Sequence, residues 1–91
     1  MSYKKAAPLK LLESSSGEGV LHMPSGVELV MGYQLDTYLE RGRKIVSGSL
    51  EGDASRVEDG AVGRLQLVSG EQVEIALIKP DDRGADFRSL P

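Results

Sequence analysis

A small all-β domain, a meander of about six antiparallel strands closed into a barrel or roll, is the fold this sequence predicts. Three observations carry that reading. Across residues 27–39 almost every odd position is apolar (Val27, Leu29, Met31, Tyr33, Leu35, Leu39) and most even positions are polar, the two-residue period of a strand. Turn-forming clusters then punctuate the chain at short intervals, and no connection is long enough to require a crossover helix. Closure is favoured because it removes the exposed edges an open sheet would leave.

Taken in order, residues 1–16 read as a flexible N-terminal segment with one short strand at 9–12, ended by the Ser14, Ser15, Ser16, Gly17 break. The barrel domain is assigned to residues 17–91. Its first hairpin joins residues 19–23 to the long run through Pro24, Ser25 and Gly26, a three-residue loop with glycine third. That loop pairs Met23 with Val27 and Leu21 with Leu29. A two-residue turn at Arg41 and Gly42 leads into residues 43–50, opposing Thr37 with Val46, Leu35 with Gly48 and Tyr33 with Leu50. Gly32 is the expected hinge of the long strand, since thirteen unbroken residues exceed the usual length.

The three-residue device recurs at Val68, Ser69 and Gly70, between residues 63–67 and 72–78, and sets Leu65 and Leu67 on the face of Val73, Ile75 and Leu77. Residues 51–61 have no apolar period and read as the longest internal loop. After a second polar loop at 79–84, residues 85–88 form a closing strand with Phe87 inward.

Composition narrows the function classes. The 91 residues suffice for one domain and one modest core, burying about 60–68% of the unfolded chain's surface. Aromatic residues make up only 4%, so the core is aliphatic and few platforms exist for stacking bases or sugars. Eleven basic against fourteen acidic residues give a net charge of -3, the wrong sign for neutralising a phosphate backbone, so no nucleic-acid partner is expected. The lack of cysteine excludes disulfides and thiolate metal sites and suits a reducing cytoplasm. Pro8 and Lys10 interrupt the N-terminal apolar residues, and no stretch approaches about 18 apolar residues, so neither export nor membrane association is expected.

Catalytic chemistry finds little support. His22 is the only histidine, placed on the solvent side of its strand, and no second nitrogen stands at ligand spacing, so no metal or other cofactor is expected. Ser14, Ser15 and Ser16 lie in the flexible segment, while Ser25 and Ser69 belong to tight turns. An enzyme would need a deep pocket joining His22 to a carboxylate such as Asp36 or Glu28. Gly48 and Gly52 flank acidic Glu51 and precede no helix, which suits bends in strands and not a phosphate loop.

Two sets of residues remain as binding candidates. Arg41, Arg43 and Lys44 sit at one hairpin tip, followed by Asp53, Ser55 and Gly60. This set resembles the PilZ family, small β-barrels that bind a cyclic dinucleotide through an Arg-xxx-Arg segment and a later Asp/Asn-x-Ser-xx-Gly stretch; the ending Gly84, Ala85, Asp86, Phe87 is also similar to that family's closing strand. The resemblance implies a small anionic ligand held by Arg41, Arg43, Lys44, Asp53 and Ser55, through guanidiniums that chelate phosphate. Here, however, the arginines are spaced Arg-x-Arg within the barrel, and Gly60 falls two residues late. The plainer reading is a charged tip that keeps a sheet edge soluble.

The second set is apolar. With odd positions of the long strand inward, Val30, Tyr38, Ile45, Ala76 and Ile78 face outward, together with Val68. Either Leu9, Leu11 and Leu12 fold over this face, or it is an interface for a second copy or another protein. The resulting expectation is a non-catalytic binding or protein-interaction module, possible homodimer included, with the small-anion binder as its alternative.

Overall fold

The structure is a computed structural model that describes residues 10–90. It is all-β: β1 (Lys10–His22), β2 (Glu28–Glu40), β3 (Arg43–Glu51), β4 (Val62–Gln66), β5 (Gln72–Ile78) and β6 (Gly84–Ser89) form one closed antiparallel barrel without a helix among the described residues. Around the barrel the order is β1-β2-β3-β6-β5-β4. Two three-stranded meanders thus sit side by side, and residues 52–61 connect them. No helix among the described residues is long and apolar enough to cross a membrane.

The local hairpins follow from their turns. Met23 N–H donates to the Val27 carbonyl at 2.9 Å with Leu21 opposite Leu29, and Leu67 N–H donates to the Glu71 carbonyl at 2.8 Å with Leu65 opposite Val73. At the β2–β3 tip, Arg41 (φ 52°) and Gly42 (φ 80°) are both left-handed, the backbone a two-residue hairpin turn requires. The pairs Thr37–Val46, Leu35–Gly48 and Tyr33–Leu50 stand as the turn predicts.

Inward positions build the core, where Leu21, Met31, Leu65, Ile75, Leu77 and Phe87 are all but completely buried. Each such side chain contributes about 1.5–3 kcal/mol by leaving water. Phe87 lies opposite Gly48, and a Cβ at Gly48 would collide with the Gln34 carbonyl oxygen and come within 2.9 Å of the Phe87 ring. Glycine there lets the one phenylalanine fill the barrel centre.

Three expectations change. β1 runs unbroken through Ser14, Ser15, Ser16 and Gly17, because each pairs with β2. Ser14 Oγ also donates to Asp36 Oδ1 at 2.5 Å. The small side chains that suggest flexibility instead accept a neighbour: the Tyr33 ring lies against Gly17 and Gly19, and its hydroxyl accepts the Val68 N–H at 3.2 Å. The irregularity in the long hairpin falls between Leu11 and Glu13 and not at Gly32, where an added Cβ would meet nothing nearer than 3.6 Å. Finally, Leu11 does not fold across the outer face but extends it, since it stands opposite Tyr38 within β1; Leu9 lies outside the described residues.

The long loop is a stopper. Ala54 and Val57 are buried, and the loop is tied down by Gly52 N–H to the Arg83 carbonyl, Ala54 N–H to the Asp81 carbonyl and Gly60 N–H to the Leu77 carbonyl, at 2.7–2.9 Å. It closes one end of the barrel. At the other end β1, β2 and β3 run on past the remaining strands, giving a molecule 51 Å long and 26 by 21 Å across.

Candidate binding groove

The open end is created by a change of partner. β6 pairs with β3 only from Ser47–Arg88 to Glu51–Gly84. It then stays with β5, through Ile75–Ser89 and a 3.0 Å bond from Leu90 N–H to the Glu74 carbonyl. Meanwhile β3 continues to the tip beside β2, as Tyr38–Ile45, Leu39–Lys44 and Glu40–Arg43. Among the described residues, positions 43–46 of β3 therefore have a strand on one side only.

Between the diverging strands lies a groove of about 660 Å³ lined by Tyr38, Glu40, Arg43, Lys44, Ile45, Ser47, Arg88, Ser89 and Leu90. Directly opposed residues share a sheet face. The pairs Tyr38–Ile45, Glu40–Arg43 and Ser47–Arg88 consequently present to the outside of the barrel. Among the described residues the groove is bordered by three cations, Arg43 and Arg88 on the outer face and Lys44 on the inward row of β3, and by one carboxylate, Glu40, a local excess of positive charge on a chain of net charge -3. Among the described residues no carboxylate lies within ion-pair distance of Arg43, Lys44 or Arg88; the one histidine–carboxylate contact is elsewhere, between His22 Nδ1 and Glu28 Oε2 at 3.1 Å.

The two candidate sets therefore meet in part. Tyr38 and Ile45 join Arg43 and Lys44 in the groove, and Ala76 stands opposite Arg88 at its margin. Ile78 sits two pairs further along β5, opposite Asp86. Val30 is exposed on the same outer face but eight residues from Tyr38 along β2, about 26 Å at the rise of a strand. Arg41 occupies the turn and does not line the groove.

Asp53 and Ser55 are at the opposite end of the molecule. Arg43 and Glu51 bound β3, so the tip and the loop after Glu51 are separated by about 26 Å of strand. The Asp53 carboxylate is occupied locally: Oδ1 accepts the Ser55 hydroxyl at 2.6 Å and the Ser55 N–H at 3.0 Å. These bonds, the hydroxyl's first, hold its pKa below the ordinary 3.8, with help from the Arg56 charge. No protein-family model, curated protein or solved structure matches this chain.

His22 bridges strands at the barrel's narrowest seam. β1 and β4 share only Val20–Gln66, Leu21–Leu65 and His22–Arg64. The ring contacts Glu28 Oε2 on β2 at 3.1 Å and Gln66 Oε1 on β4 at 3.0 Å. The ring itself lines a depression of about 200 Å³ with Met23, Pro24, Val62, Arg64 and Glu74 among others, so the carboxylate that borders it is Glu74 and not Asp36 or Glu28. The histidine has a structural task across three strands. Among the described residues no three His, Cys, Asp or Glu side chains are grouped as a metal site.

Arg88 and Leu90 escaped the sequence reading. Alternation with inward Phe87 does turn Arg88 outward, but its place beside Ser47 depends on the β3–β6 pairing, which joins residues about forty positions apart and leaves no local trace.

Proposed function

We propose that this chain is a non-catalytic protein-interaction module that holds an acidic, partly apolar segment of another protein in the groove between β3 and the end of β6. The observation that carries the reading is the placement of Arg43 and Arg88 on the outer face with the Tyr38–Ile45 pair, with Lys44 bordering the same groove from the inward row of β3. Guanidinium and ammonium groups supply directional donors for carboxylates, while Tyr38 and Ile45 offer apolar area that excludes water from them. The groove volume lies within the roughly 300–1,000 Å³ of ligand pockets.

Titration of the isotopically labelled protein with a hexaglutamate peptide tests this reading, with hexalysine as the control. The expected result is amide shifts confined to residues 38–47 and 88–90 with hexaglutamate alone, lost in R43E/R88E. Equal shifts with both peptides, or none in this region, would overturn it. Light scattering checks the occupant: a dimer that dissociates on Ile45→Glu would replace the foreign segment by a second copy.

A second reading, a small anion such as a cyclic dinucleotide, is favoured by the two guanidiniums of Arg43 and Arg88 at one groove. It is disfavoured by the distance of Asp53 and Ser55 from them. A cyclic dinucleotide that shifts Arg43 and Ser55 amides together would support it over the first.

A further inference from the structure

We infer that the acidic segment enters as an added antiparallel strand on β3, opposite residues 43–46, with the order acid, apolar, apolar, acid, acid from its N-terminus. This rests on the groove being the binding site and adds how the ligand is held. The reason is that the groove is also a break in the sheet. Positions 43–46 of β3 are bonded to β2 on one side, and β6 leaves them at Arg88 to follow β5. A strand's peptide groups point alternately to its two neighbours, so among the described residues this edge presents unpaired backbone donors and acceptors into the groove. An extended peptide can continue the lane that β6 vacates.

The side chains then fix the order. Residues directly opposite on neighbouring strands share a face and interact, with opposite charges and apolar pairs both favourable. Antiparallel to β3, the incoming chain passes Val46, Ile45, Lys44 and Arg43 in turn. It requires two apolar residues followed by two acids. The residue before them must leave the lane beside Arg88, which already opposes Ser47, so an acid fits there as well. Antiparallel pairing is the one used by every ladder in this barrel.

The other open edge lacks this combination. Residues 10–19 of β1 are paired with β2 and with no second described strand, but the irregularity between Leu11 and Glu13 disrupts a regular ladder there. Lys10 is its single cation, against Glu13 and Glu18.

The test uses acetyl-Glu-Val-Val-Glu-Glu-amide, the same peptide N-methylated at both valines, and a version with lysine for every glutamate. N-methylation removes backbone donors and leaves charge intact. The parent peptide should shift and slow hydrogen exchange of amides within residues 43–46, the N-methylated form should bind about tenfold more weakly, and the lysine form should not bind. Equal binding of parent and N-methylated peptides overturns strand addition while leaving the groove as an acidic-ligand site. No binding by either glutamate peptide overturns both. Arg88→Glu should weaken the parent peptide and leave the fold intact, as judged by an unchanged spectrum at Phe87 and Leu77; unchanged affinity would remove Arg88 from the site.

Discussion

The two ends of this molecule use the same strands in opposite ways. In the closed half every strand has a neighbour on each side, and the inward row of β3 reads Leu50, Gly48. In the open end that row continues through Val46 into Lys44, a cation at a position that would be core if the barrel went on. The outer row likewise passes from Ser47 to Ile45 and Arg43. Where the second neighbour is lost, burial no longer constrains the side chains and charge enters both rows. A charge in an inward series is also a known guard against unwanted edge pairing, so selective recognition at this edge requires a ligand that answers the charge.

Removing one side chain from each end should separate their stabilities most. Phe87→Ala empties the centre of the barrel, where Phe87 is 1% exposed, and should cost about 3–5 kcal/mol in a denaturant titration. Ile45→Ala, at a half-buried position of the open end, should cost about 1 kcal/mol. Comparable losses would mean that the two ends fold and fail as one core. Native-state hydrogen exchange adds the spatial check: Leu77 should exchange only with global unfolding, and the outward amides among residues 43–46 far faster.

A smaller effect of opposite sign is expected at the tip. Arg41 holds a left-handed backbone at φ 52°, which an L-residue with a long side chain adopts at a cost of about 1 kcal/mol. Asparagine tolerates this conformation and is favoured at this turn position. Arg41→Asn should therefore stabilise the protein by up to about 1 kcal/mol, raising the denaturation midpoint without changing groove binding, since Arg41 does not line the groove. Loss of peptide affinity in this variant would enlarge the site to include the turn.

Legibility in the sequence followed the range of the pairing. Hairpins set by Gly26, Arg41–Gly42 and Gly70 were readable to the residue, because a tight turn dictates which positions face each other. The β3–β6 and β1–β4 seams were not, since nothing near Ser47 names Arg88 as its neighbour. That is why the groove was seen as two unrelated sets, Tyr38 and Ile45 in one and Arg43 and Lys44 in the other. Composition misled at Ser14, Ser15 and Ser16, where small polar residues are held by a long partner strand. It also hid Ala54 and Val57, whose burial comes from a loop folding back over the barrel end without any strand period.

The finest discrimination between the ends concerns protons. At the stoppered end the Ser55 hydroxyl and N–H bond the ionised Asp53 carboxylate, and its pKa is lowered from 3.8. A carboxyl whose folded pKa is depressed binds its proton more readily when unfolded. Its contribution to stability is therefore fully present above the unfolded value and fades as pH falls through the folded one. Because the group lies at the surface, solvent screens the effect and the loop should loosen locally before the barrel unfolds. A carbon-detected NMR titration of Asp53 should show the depressed midpoint, and Ser55→Ala should move it back toward the ordinary range by removing the largest cause. Groove binding should be indifferent to that substitution, as the groove lies at the other end of β3. A midpoint unmoved by Ser55→Ala would assign the shift to the remaining Ser55 N–H bond and the Arg56 charge instead; a change in peptide affinity would show that the two ends communicate through β3.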